Sequence, residues 1–325
     1  MRLLESENLR FKKLVADLFR EGVKAVDPIA AISNSIALTG RTLAIAESNF
    51  DLDRYTEIYV VALGKAGGGM AIGIDQKIRD LITAAVISAP GSKQELSAVW
   101  RIFNGGHPIP NEESLAAARF AITLLSRANS DRSLVIFLIS GGGSAMLELP
   151  RDNKISLRDI RSVNKLLVNC GASISEINTI RRRLSLVKGG GLALCAPRAT
   201  QVSLIISDTN DGDEQIVASG PSFVPDQDDA SSAEIAALID KYKLRKSIPL
   251  HVLKSIEDHS QQDDLVDKPI EHASYTLLTN ENALNTVVRS AEKLGFVTKK
   301  IDDLVEARID ECQTPLHEDS GGGSL

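Results

Sequence analysis

Ser133-Leu134-Val135-Ile136-Phe137-Leu138-Ile139-Ser140-Gly141-Gly142-Gly143-Ser144-Ala145-Met146-Leu147-Glu148-Leu149-Pro150 is the stretch from which the fold can be read. Leu134 to Ile139 form an unbroken apolar run of strand length, as expected of a strand covered on both faces in a parallel sheet. Three glycines end it. Without Cβ atoms, Gly141, Gly142 and Gly143 let the chain turn sharply and converge backbone N–H groups on an anion, and Ser140 and Ser144 add hydroxyls on either side. An ordinary strand-exit turn would use the same glycines, so the role of this loop has to be argued from its neighbours.

The same arrangement recurs upstream. Ile58 to Leu63 predict a strand that runs into Gly64-Lys65-Ala66-Gly67-Gly68-Gly69, after which Met70, Ile74 and Ile78 mark a helix. A helix start behind such a turn attracts anions. The turn matches neither the P-loop nor the dinucleotide-binding fingerprint. Lys65 is either a solvated loop lysine or a cation in reach of a transferring phosphoryl group. Further strands are predicted at Ala84–Ser88 and Val99–Phe103. The second leads into Asn104-Gly105-Gly106-His107-Pro108-Ile109-Pro110-Asn111, where His107 sits among glycines and prolines, either on the surface or against a substrate. Asn111 is placed to cap a helix with Leu115, Ala118, Ile122 and Leu125 on its core face.

Downstream, Leu157, Ile160, Val163 and Leu167 predict one helix, and the run from Ile174 to Val187 predicts another. In the second helix Ile177, Ile180, Leu184 and Val187 make an apolar stripe. Asn178, Arg181, Ser185 and Lys188 make a polar stripe beside it, suited either to an oxyanion or to solvent. Because that stripe lies beside the core face, truncating Arg181 or Lys188 is expected to leave folding nearly intact. Gly189-Gly190-Gly191 ends the helix. Val202 to Ile206 predict a strand followed by Ser207-Asp208-Thr209-Asn210-Asp211-Gly212-Asp213-Glu214, whose clustered carboxylates suit Mg²⁺, although Asp-Gly turns also arise for local reasons.

The ends of the chain are plainer. Phe11, Leu14, Val15 and Leu18 predict a first helix ending near Gly22, with a second apolar segment after Pro28. Residues 226–274 are polar with a helix or two. Tyr275–Thr279 and Phe296–Ile301 predict strands flanking a helix marked by Ala283, Val287 and Ala291. We expect residues 1–305 to form the α/β domain with its lead-out segment and 306–325 a disordered tail.

Composition narrows the class. With 325 residues the chain can bury a sizeable core, and with 4% aromatics that core must be aliphatic. A net charge of −6 argues against a nucleic-acid role. Cys170, Cys195 and Cys312 have no paired or metal-ligand spacing, and Cys170 and Cys195 stand in apolar settings. No apolar run approaches the roughly 20 residues that span a bilayer. Acids at Glu5 and Glu7 do not suit a presequence, so a soluble cytoplasmic protein is expected. Strands alternating with helices predict a three-layer α/β/α sandwich with a mainly parallel, Rossmann-like sheet, its ligands lying outside the carboxyl ends of the strands.

Read in order, Leu63-Gly64-Lys65-Ala66, Gly106-His107-Pro108-Ile109-Pro110, Leu138 to Ala145, Asn178-Thr179-Ile180-Arg181 through Ser185, Lys188-Gly189-Gly190, Ser207-Asp208 and Ala218-Ser219-Gly220-Pro221 resemble the motifs of the class II glycerate kinases. The resemblance covers roughly residues 8–300. It implies phosphorylation of D-glycerate at its 2-hydroxyl by ATP with Mg²⁺, with Lys65 as the catalytic lysine and Asp208 as the active-site acid. On that reading Asp208 and Asp213 hold the metal. Gly141, Gly142, Gly143 and Ser144 cradle either the phosphates or the glycerate carboxylate, while His107, Asn178, Arg181, Ser185 and Lys188 contact substrate. The segment Thr209 to Glu214 departs from the family's usual Ser-Asp-Val and Gly-Asp-Pro. The family's C-terminal domain, with its Gly-Gly-Glu and Gly-Gly-Arg-Asn-Gln-Glu motifs, has no counterpart, so a truncated second domain and little kinase activity are expected. Two rival readings stand beside the kinase. One is a shortened ligand-binding or subunit-pairing module. The other is a nicotinamide-dependent hydroxypyruvate reductase, against which the absent dinucleotide fingerprint counts. Homo-oligomerisation is left open.

Overall fold

A computed structural model of the protein describes residues 2–91, 96–209, 214–224, 230–257 and 270–300. Asp213, Cys312 and the expected tail at 306–325 lie outside them. The chain divides into two compact units, Val26–Asn280 and the pairing of Met1–Ala25 with Glu281–Leu325.

In the smaller unit, α1 (Arg2–Ala25) runs past the expected stop at Gly22. Gly22 is buried within the helix and packs so closely on Val287 that a Cβ there would lie 2.7 Å from Val287 Cγ2. Leu14 and Leu18 are half-buried on this helix, and Phe11 and Val15 are exposed.

The larger unit begins with α2 (Pro28–Ser35), capped by the Asp27 carboxylate. The antiparallel meander β1 (Ile36–Thr39), β2 (Thr42–Ile45) and β3 (Ser48–Asp51) follows, and sequence periodicity did not indicate it. Its strands are four residues long, too short for an alternation to stand out, yet Ile36, Leu43, Ile45 and Phe50 all enter the core.

The strand–turn–helix units then build the main sheet. They are β4 (Glu57–Leu63), α3 (Gly67–Ile78), β5 (Ile82–Ser88), β6 (Trp100–Phe103), α4 (Glu112–Arg127), β7 (Ser133–Ser140) and the single turn α5 (Gly143–Met146). After them come α6 (Leu157–Asn169), α7 (Ile174–Leu184), β8 (Thr200–Ile206), α8 (Ser232–Lys241), α9 (Leu250–Glu257) and β9 (His272–Leu278). The order across the sheet is β6-β5-β4-β7-β8-β9, with every pairing parallel. All eight residues of β7 are buried, as its apolar run predicts for a central parallel strand. Alternate residues of β4 serve opposite faces. Ile58, Val60 and Ala62 join α2, α3 and the meander, while Tyr59, Val61 and Leu63 join α4. The three-layer α/β/α expectation therefore holds.

A third apolar cluster stands apart from both faces. Ile160, Val163 and Leu167 of α6 and Ile177, Ile180 and Leu184 of α7 close on Ile235, Ile239, Val252 and Ile256 of α8 and α9.

Two expected elements differ. α7 ends at Leu184, not Val187, because Ser185 turns extended (φ −117°, ψ 136°). From there the chain pairs with residues 149–151: Ser185 bridges Pro150, Leu186 N–H donates to Leu149 O and Arg151 N–H to Leu184 O. Ser185 and Lys188 thus leave the helical stripe predicted for them. In the smaller unit, residues 296–300, which follow α10 (Asn280–Lys293), form no strand, contrary to the strand expected at Phe296–Ile301. Val297 is fully exposed and Phe296 is exposed too, so neither gains the burial that would favour a strand there.

Candidate functional site

The carboxyl ends of β4 and β7 are locked together. Gly64 has φ +105° and lies so close to Ser140 that a Cβ would be 2.3 Å from its carbonyl oxygen, so only glycine fits. Lys65 N–H donates to Gly141 O at 2.9 Å, and Ala66 N–H donates to Ser140 Oγ at 3.0 Å. This lock aims Lys65 over the glycine loop.

Asp208, just past β8, lies on the other side of the loop. A Cβ on Gly141 would fall 1.9 Å from Asp208 Oδ2, so the carboxylate rests directly on the backbone of Gly141. Lys65 Nζ is 3.7 Å from that oxygen, with the two side chains 55% and 52% exposed. An exposed pair at this distance is held weakly, worth about 0–1 kcal/mol, so both charges remain available to a ligand.

His107 completes the group. At Gly142 (φ +82°) a Cβ would approach His107 Cδ2 to 2.7 Å, His107 Nε2 to 2.9 Å and Lys65 Cε to 3.2 Å. The loop carrying His107 is tied down at its base, where Gly106 N–H donates to Ser114 Oγ at 3.0 Å within the Asn111–Ser114 capping box of α4. Burial and the neighbouring Lys65 charge hold the imidazole below its ordinary pKa, against an opposing pull from Asp208.

A hydroxyl chain leads away from the glycine loop. Ser219 Oγ is 3.0 Å from both Ser144 Oγ and Asn178 Oδ1, so it donates to the amide oxygen and accepts from Ser144. Ala218 and Ser219 sit at φ +55° and +64°, a region that costs non-glycine residues about 1–3 kcal/mol. Gly189 and Gly190 hold that turn by donating to Ser219 O at 3.0 Å and Gly220 O at 2.7 Å.

The remaining members of the predicted polar stripe have partners of their own. Lys188 is buried and ion-paired with Glu148, also buried, and desolvation lowers the lysine's pKa against the pull of that carboxylate. Arg181 donates from Nε to Asn164 Oδ1 at 2.9 Å, and burial lowers its pKa too. Ser185 is buried at the bridge to Pro150. The structure therefore gathers Lys65, His107, Gly141, Gly142, Gly143 and Asp208, links Ser144 and Asn178 through Ser219, and buries Ser185 and Lys188, the latter next to Gly189, whose N–H donates to Ser219 O. Glu148 and Ser219 were not singled out as site residues from sequence. The signal for Glu148 was an acid flanked by Leu147 and Leu149; for Ser219 it was an Ala-Ser-Gly-Pro turn.

Among the described residues, no group of three or more His, Cys, Asp and Glu side chains could enclose a metal. Mg²⁺ usually keeps several waters and takes one or two carboxylates plus substrate phosphates, and Asp208, half exposed beside a loop of backbone N–H groups, fits that donor set. Among the same residues no helix is long and apolar enough to cross a membrane.

Fold and site together define a doubly wound α/β protein that gathers a cation, a carboxylate and a glycine loop at the carboxyl edge of its sheet. The family model described as "Domain of unknown function (DUF4147)" matches residues 14–257, and the chain belongs to that family. It is 34% identical over 280 residues to a glycerate 2-kinase of Pyrococcus horikoshii, covering 86% of this chain and 62% of that protein. It is also 34% identical over 232 residues to a putative hydroxypyruvate reductase of Agrobacterium vitis, covering 71% of this chain and 48% of that protein. The solved structure of glycerate kinase from Thermotoga maritima superposes with a TM-score of 0.70 at 26% identity, covering 89% of this chain and 64% of that one. The chain thus spans less than two thirds of the length of these relatives, and its motif resemblance to the class II glycerate kinases is borne out.

Proposed function

We propose that this chain carries the phosphoryl-transfer site of an ATP-dependent D-glycerate 2-kinase. The observation that supports it most is the meeting of Lys65, Asp208 and His107 over Gly141 and Gly142. The glycerate O2 attacks the γ-phosphorus of ATP, a new O–P bond forms, and the bond from that phosphorus to the bridging oxygen of ADP breaks. The hydroxyl proton passes to the Asp208 carboxylate, which orients the attacking oxygen. Lys65 offsets negative charge on the transferring group, and backbone N–H groups of the glycine loop hold an anionic oxygen. His107, neutral at pH 7, accepts from or donates to a glycerate oxygen without adding charge. Mg²⁺, held by Asp208 with Asp213 as second candidate, would supply charge neutralisation at the phosphates. A reaction drawing on ATP fits a cytoplasmic setting.

The hydroxypyruvate reductase reading is not favoured by any feature of the site, which lacks the Gly-x-Gly-x-x-Gly turn. ADP release with D-glycerate, ATP and Mg²⁺, followed by identification of the phosphorylated position, tests the kinase. Little 2-phosphoglycerate is expected from this chain by itself, and faster formation once it is extended by a relative's C-terminal domain. Oxidation of NADH with hydroxypyruvate, without ADP release from D-glycerate, would overturn it.

A further inference from the structure

Asn178 and Ser219, at the far end of the hydroxyl chain from Ser144, also line a cavity of about 340 Å³. Its other walls come from Arg182 of α7, Gly189, the turn at residues 215–220, Phe223, Val224 and His272 at the start of β9. Glycerate is too small for this space, which is in the range of pockets for larger organic ligands, about 300–1,000 Å³. The lining is mixed. Phe223 and His272 stand edge to face, with ring centroids 5.4 Å apart at 90°. His272 Nε2 is anchored 2.9 Å from Ser203 Oγ, and burial holds its pKa below the ordinary value, so the ring is neutral at pH 7. Ile216 adds apolar surface and Gln215 an amide. The Asn178 oxygen is engaged by Ser219, which leaves its NH₂ group as the part that can donate to a ligand. Aromatic and apolar surface beside amide groups and the Arg182 guanidinium suits a flat heterocycle joined to an anionic group.

We propose that this cavity receives the nucleoside of the phosphoryl donor, with its base against Phe223 and its phosphates leading past Ser219 and Ser144 toward Lys65. The proposal rests on the kinase reading above and assigns it a donor subsite. It also accounts for the strained backbone at Ala218 and Ser219, because that turn is at once the wall of the cavity and the link to the glycine loop.

Calorimetric titration of the chain with ADP and with adenosine tests it. The wild-type chain binds both. Val224→Trp, on a 41% exposed lining residue, places an indole in the cavity and weakens both by about tenfold or more, with D-glycerate affinity unchanged. Val224 also packs on Gly190, so Gln215→Trp, at an exposed position, carries the same test should Val224→Trp melt lower. Undiminished binding of ADP and adenosine in a folded variant overturns the cavity assignment alone. Absence of any ADP binding by the wild-type chain overturns it together with the kinase reading.

Discussion

Lys65 and Asp208 face each other at 3.7 Å with half of each side chain in solvent, so their mutual attraction adds little to stability and their charges are free to act on a ligand. Lys65→Ala is therefore expected to leave the melting temperature nearly unchanged and to lower kcat by about 10²-fold or more, with a smaller effect on KM for D-glycerate. Near-wild-type turnover would remove Lys65 from the mechanism. His107 reports on the same pair. Its folded pKa is held below the ordinary value first by burial, then by Lys65, with Asp208 pulling upward. A proton-NMR titration should place its midpoint below about 6.5. Asp208→Asn should move it further down and Lys65→Met should move it up. A midpoint indifferent to both substitutions would mean that the three groups do not share a site.

At the scale of elements, the polar stripe of α7 divides into parts with different physical roles. The helix stops at Leu184, so Lys188 is carried into the interior, where it meets Glu148. Lys188→Ala strands a buried carboxylate and is expected to cost about 3–5 kcal/mol in urea unfolding, unlike the near-neutral effect read from the stripe. A loss below about 1 kcal/mol would mean that water reaches Glu148 once the lysine is removed. The start of α7 offers a pH test. Glu176 closes a capping box with Ser173 and accepts hydrogen bonds from Lys241 and Tyr242 of α8 and its C-cap. Its pKa is lowered to about 2, chiefly by Lys241. A depressed carboxylate pKa contributes stability that is fully present above its unfolded value of about 4.3 and is lost as pH falls through the folded value. The difference in melting temperature between wild type and Glu176→Gln should therefore be largest above pH 5 and shrink toward pH 2. A difference constant with pH would show that the carboxylate charge plays no part.

For the larger unit as a whole, the sheet core and the α6–α9 cluster are separate apolar bodies. Ile239→Ala, in the second body, should cost about 2–5 kcal/mol and speed amide exchange first in α6 to α9, while β4, β7 and β8 stay protected. Uniform loss of protection would make the two bodies one cooperative unit.

The sequence alone determined the parallel α/β sheet, the glycine turns at its carboxyl edge, and the candidacy of Lys65, His107 and Asp208, because each is a local pattern: a buried run, a residue without Cβ, a polar group at a strand exit. The β1–β3 meander stayed hidden because four-residue strands carry too little periodicity. Only the tertiary structure decided that Lys188 is buried while Lys65 is exposed, that α7 yields its last turn to pairing with residues 149–151, and that Ser219 joins Ser144 to Asn178. These outcomes depend on partners far apart in sequence. Whether a charge meets water or a buried carboxylate is set by what packs over it, which periodicity along one element does not record.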